Sequence, residues 1–147
     1  MTGLIIVIAI GIVLALCFFF WSRQRAAARR EALRRYVTEH NFNLLGSSLP
    51  AGLSLEGSSF RSAQIILNAF TGSGREKEFV FFDCYMREGR RGYTQSVLAI
   101  HRLGGSYPAC RFDRQLLEER APGEWMLIYH NRRAWPVEEI DAHLSSL

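Results

Sequence analysis

The residues able to do chemistry are few in this chain, and their spacing limits what they offer. Four histidines stand at His40, His101, His130 and His143, and no two of them form an i, i+4 pair. Three cysteines, Cys17, Cys84 and Cys110, contain no Cys-x-x-Cys motif. A zinc site needs three or four such ligands brought together. Cys84 and His101 are placed to meet across neighbouring strands, but no further ligand joins them. No metal and no cofactor is expected.

Covalent chemistry has no better support. The chain lacks a Gly-x-Ser-x-Gly elbow, and Cys84 lies in an apolar run that raises a thiol pKa instead of lowering it. Cys84 is expected to be a buried structural residue, and a reducing cytoplasm would keep it from pairing with Cys110. Gly72-Ser73-Gly74 begins like a phosphate-binding loop but lacks the third glycine and a following helix, so it reads as a hairpin loop. Asp83 stands out because it is a carboxylate between Phe82 and Cys84, sharing a strand face with Phe81 and Tyr85. There it must be hydrogen-bonded, paired or at the sheet surface. Arg102, Thr94 and Gln95 are the expected partners, and its expected role is structural. Trp125, Tyr129 and Trp135 are expected to fill a core more than to line a groove. No catalytic residue is assigned.

The elements that carry these residues begin with a membrane segment. Leu4 to Trp21 is an 18-residue run with no charge, and 13 of its residues are Leu, Ile, Val or Phe. At about 1.5 Å per residue a helix of that length covers roughly the hydrocarbon thickness of a bilayer. A cleaved signal would show a positive n-region and small residues at the cut, whereas aromatics and arginines end this run. A retained anchor is therefore expected.

Charge sets its direction. The 147 residues carry 18 basic and 14 acidic side chains, a net of +4. Arg23, Arg25, Arg29, Arg30, Arg34 and Arg35 come directly after the run, with Glu31 the one acid among them. By the positive-inside rule the N-terminus lies outside and the rest in the cytoplasm. The arginines also stand where anionic headgroups are, the simpler reading being a topology signal that touches them unspecifically. Gly11 and Ala15 form a small-xxx-small pair of the kind that lets two helices approach, here as a weak homodimer, although the pattern also arises by chance. From Tyr36 to Leu147 there are 12 basic and 13 acidic residues, a net of −1, which argues against nucleic acid as a partner.

The pattern divides the chain into an anchor over residues 1–22, an Arg-rich juxtamembrane helix over 23–41, and an α+β domain over 42–147. Ala26, Ala27, Ala28, Ala32 and Leu33 favour the juxtamembrane helix, and Asn41 suits its C-terminal cap. Residues 46–59 read as loop. Phe60–Thr71, Glu78–Arg87 and Tyr93–Leu103 alternate as strands of an antiparallel meander, the second of them central because both its faces are apolar. Ala109–Phe112 reads as a short strand, Asp113–Arg120 as a helical turn closed by Pro122-Gly123, and Glu124–His130 as a strand. Pro136 and the acids after it open a final helix with Val137, Ile140 and Leu144 as its buried stripe.

Several short stretches bear a likeness to known sequences. They are Phe42-Asn43-Leu44-Leu45-Gly46, Asn68, Phe81-Phe82-Asp83-Cys84-Tyr85, Thr94-Gln95-Ser96-Val97, Trp125-Met126-Leu127-Ile128-Tyr129 and Pro136-Val137-Glu138-Glu139-Ile140. On these the chain resembles a group of uncharacterised bacterial single-pass inner-membrane proteins, although the stretch between Arg111 and Glu124 is abbreviated against that pattern. The resemblance implies an inner-membrane anchor and a small cytoplasmic α+β domain, and it brings no substrate. The expected function is a membrane-tethered, non-catalytic interaction module with the bilayer and a protein as partners. The alternatives are an accessory subunit of a larger membrane complex and a membrane-surface hydrolase, the last marked by a cleft where Asp83 meets His101 or another base.

Overall fold

The computed structural model describes residues 2–63, 65–73, 78–101 and 116–145. It divides into two compact units, Met1–Arg35 and Tyr36–Leu147. The first unit belongs to α1, a helix over Thr2–Glu39. Every large apolar side chain from Ile5 to Trp21 is at least 51% exposed. Among the described residues α1 is the one helix long and apolar enough to cross a membrane by length and composition, a test that a signal sequence also passes. Just beyond the apolar run, the Arg25 guanidinium lies 3.9 Å from the Trp21 ring and Arg23 lies 4.9 Å from Phe19. These one-turn stacks place cations over aromatic faces at the apolar boundary.

In the second unit α1 ends as expected. Asn41 takes the left-handed conformation, with φ 55°, and the Phe42 N–H reaches back to the Val37 carbonyl at 2.9 Å. This closure satisfies a carbonyl that the helix end leaves open. The chain then forms one antiparallel sheet from β1 (Asn43–Gly46), β2 (Ile65–Ser73), β3 (Glu78–Glu88), β4 (Arg91–His101), β5 (Leu117–Ala121) and β6 (Trp125–Tyr129). The strand order is β1-β2-β3-β4-β6-β5, and α2 (Val137–Ser145) comes after it. The fold is α+β, and the expected meander is β2-β3-β4 with β3 inside the sheet.

Three local expectations are corrected. β1 is a strand where the pattern predicts none; its four residues are too few to show an alternation. Leu117–Ala121 is an edge strand, not part of a helical turn. Its Leu-Glu-Glu-Arg sequence consists of good helix formers, but pairing with β6 through a turn at Gly123 (φ 79°) and Glu124 (φ 63°) overrides that local preference. The third correction concerns β2, where the alternation read over Phe60–Thr71 puts Ala63, Ile65, Leu67 and Ala69 on one face. Asn68 sits at φ 53°, and the register shifts between Leu67 and Phe70. This bulge inserts one residue, so Ala69 joins Ile66 against the core while Phe70 turns to Phe81, with ring centroids 5.0 Å apart. The strand expected at Ala109–Phe112, the residues Arg102 and Cys110, and Asp113 of the expected turn lie outside the described residues.

Both sheet faces are covered. One carries Ala69, Val80, Phe82, Cys84, Val97, Ala99 and Leu127, and the loop before β2 closes it with Leu53 and Phe60. Trp125 donates its indole N–H to the Gly52 carbonyl at 2.8 Å, which pins that loop down. The other face carries Phe70, Phe81, Leu98 and Ile128, with buried Trp135 and Ile140 beside it. Tyr36, in the last turns of α1, donates its hydroxyl to Asp141 of α2 at 3.1 Å.

Candidate functional site

The segment leaving β6 passes over the sheet face that holds Asp83, and a chain of hydrogen bonds fixes its path. Asp83 is fully buried. Its Oδ1 accepts from the Ser96 hydroxyl at 2.6 Å and its Oδ2 from the Asn68 amide at 2.9 Å. Ser96 stands directly opposite Asp83 in the register, whereas Thr94 stands opposite Tyr85 and the Gln95 amide bonds the His130 carbonyl at 2.8 Å. Ser96 and Asn68 thus bond Asp83, where Thr94 and Gln95 are expected to do so. The Ser96 hydroxyl also accepts from the Trp135 N–H at 2.8 Å, and the Ser96 N–H donates to the Arg133 carbonyl at 3.1 Å. A donor and an acceptor on either side of one hydroxyl polarise it in the same sense. The result is a segment from His130 to Trp135 tied to β4 at three points.

That anchoring brings together side chains the sequence keeps apart. His130 comes directly after β6, and Glu139 and His143 lie one turn apart on α2. The His130 Nε2 is 3.2 Å from the Glu139 Oε1, and the His143 Nε2 is 3.9 Å from the same oxygen. The three ligand atoms lie within 4.8 Å of one another. The other oxygen, Oε2, is held by Arg133 at 2.8 Å, which leaves Oε1 turned to the imidazoles. The side chains of His130, Glu139 and His143 are 9%, 22% and 14% exposed, so the cluster is largely sheltered. The Trp135 ring packs 4.6 Å from His143 and 6.1 Å from His130, giving the cluster an apolar wall. Two imidazoles and one carboxylate are a donor set that can hold a divalent transition-metal ion with a position left open.

The remaining residues singled out in the sequence do not converge. Asp83 and His101 lie on opposite sheet faces, with His101 five residues along β4 from the position facing Asp83. Cys84 faces Gln95, six residues from His101, so that pair does not meet either. Burial, and then the nearby Asp83 charge, push the Cys84 thiol from 9.0 up to about 12, the reverse of activation. Trp125 and Tyr129 face the loop side, Tyr129 edge-on to Phe60 at 4.7 Å, while Trp135 lies on the helix side. These aromatics share no groove. Arg23, Arg25, Arg30, Arg34 and Arg35 are exposed along α1 and Arg29 is partly covered; Gly11 and Ala15 sit one turn apart within the apolar run.

The sequence held half of the signal for the His130 cluster. Glu139 and His143 have i, i+4 spacing on a helix that was itself legible, whereas a search for histidine pairs alone passes over it. His130 joins only once β6 is placed beside β4. Comparison with protein-family models, with curated proteins and with solved structures finds no match to this chain.

Proposed function

We propose that the chain is a membrane-tethered interaction module, with Leu4–Trp21 as a retained anchor and the α+β unit on the cytoplasmic side. The observation that carries this reading is the uninterrupted exposure of the apolar side chains from Ile5 to Trp21, which in water would be strongly unfavourable. A bilayer covers such a surface, and a helix bonds its own backbone inside it. The six arginines after the run support cytoplasmic placement of the remainder of the chain. The bacterial inner membrane is the setting that the likeness to single-pass proteins suggests, with a protein partner for the α+β unit. A non-catalytic role is supported by the burial of Asp83 and Cys84 away from solvent. The accessory-subunit reading rests on the same exposed helix, since neighbouring helices of a complex would cover it as well.

The test is a pair of reporter fusions after Leu147, one active in the cytoplasm and one in the periplasm. The cytoplasmic reporter is expected to work, on a product that keeps residues 1–22 by mass. Changing Arg23, Arg25, Arg29 and Arg30 to Gln is expected to give mixed orientation. A periplasmic signal from the parent, or a product cleaved after the apolar run, overturns the reading.

A further inference from the structure

We infer that His130, Glu139 and His143 form a binding site for one divalent transition-metal ion, of the class represented by zinc. The argument begins with geometry. Around a tetrahedral zinc ion with bonds of about 2.0 Å, neighbouring ligand atoms stand about 3.3 Å apart. The His130 Nε2 and the Glu139 Oε1 are already 3.2 Å apart, and the His143 Nε2 stands 3.9 Å from that oxygen. All three atoms lie within 4.8 Å of one another, so closing to ligand spacing requires shifts of no more than about 1.5 Å.

The surroundings favour the same reading. Arg133 holds Oε2 at 2.8 Å, so the carboxylate offers a single oxygen, in the manner of an outer partner that orients a ligand. The His130 carbonyl is fixed by Gln95, and α2 sets the spacing of Glu139 and His143. Imidazole nitrogens and one carboxylate suit zinc and its neighbours in the transition series more than magnesium or calcium, which take oxygen ligands. Three protein ligands leave the fourth position of a tetrahedral ion to water. The bound ion would clasp α2 to the end of β6, and it would do so wherever the chain is anchored.

The test uses the full chain in detergent micelles, without a histidine tag and freed of metal by a chelator, titrated with zinc chloride alone. Calorimetry is expected to give one ion per chain, and thermal unfolding is expected to move upward with zinc concentration. Cobalt in place of zinc is expected to show the visible absorption of a tetrahedral site. His130→Gln and His143→Gln are expected to abolish this one-to-one binding, and Glu139→Gln to weaken it at least about tenfold. His40→Gln and His101→Gln, outside the cluster, are expected to leave it unchanged. Absence of saturable zinc binding to the folded parent overturns the proposal without recourse to any variant. So does unchanged binding in both His130→Gln and His143→Gln, which would leave the cluster as an ion-pair network only.

Discussion

Asp83 is a buried carboxylate flanked by Phe82 and Cys84, and it accepts hydrogen bonds from Ser96 and Asn68 inside the sheet. Removing the carboxylate takes the acceptor from both of these donors, at a cost of about 1–3 kcal/mol for each group left unsatisfied. Asp83→Ala is therefore expected to melt clearly below the parent in detergent micelles. Asp83→Asn, which keeps the shape and can still accept from Ser96, is expected to lose less. Equal melting of parent and Ala variant would remove the structural role given to Asp83. The need for partners was legible in the sequence, but their identity was not. Ser96 lies directly across the register from Asp83, and a strand read alone does not carry that pairing.

The long alternating elements were legible and the short or irregular ones were not. β3 and β4 each run eleven residues and hold a long, continuously buried stretch bounded by polar ends, and the Pro136 start and apolar stripe identified α2. β1 and β5 are edge strands of four and five residues, defined by what they pair with more than by their own composition. The bulge at Asn68 reverses two faces, and its only trace in the sequence is an Asn that tolerates positive φ. The candidate metal cluster was half legible for the same reason, its Glu139–His143 half lying within one helix. The turn between β5 and β6 shows how an element depends on one residue. Gly123 has φ 79°, and a Cβ there would meet the Gly52 carbonyl oxygen at 2.8 Å, the same oxygen that accepts from Trp125. Gly89, in the β3–β4 turn, has φ 59° and open space around it. Gly89→Ala is expected to cost only the left-handed strain, about 1–2 kcal/mol, and Gly123→Ala more, because the loop must also shift. Thermal unfolding of the two variants side by side reads the difference.

Across the whole α+β unit, the titrating groups that respond to burial point the same way. The Cys84 thiol is pushed up from 9.0 to about 12 by burial first and Asp83 second. The Tyr129 hydroxyl is raised as well, again chiefly by burial. For each, the folded state holds its proton more tightly than the unfolded chain; for Cys84 the stabilisation is complete below pH 9 and declines as pH rises towards 12. Chemical denaturation in micelles is expected to show stability falling through that alkaline range. Cys84→Ala is expected to have a shallower fall than the parent, whatever its stability at neutral pH. An identical slope in both would mean that the thiol titrates normally in the fold.

The order in which the chain is made gives the two-faced sheet a further consequence. The strands of the meander are joined by short connections, so they can pair soon after they leave the ribosome. Their covering is different: Trp125 finds Gly52 across 73 positions, and Tyr36 finds Asp141 across 105. α2 is synthesised after every strand. Until it emerges, Phe81 and Leu98 lack the cover that Trp135 and Ile140 bring, although Tyr36 of α1 already lies 6.2 Å from Phe70. The nascent protein thus presents two greasy surfaces in succession, first a helix and then a half-clad sheet. Its yield in a cell should depend on chaperones that shield the second during the time needed to translate residues 101–145.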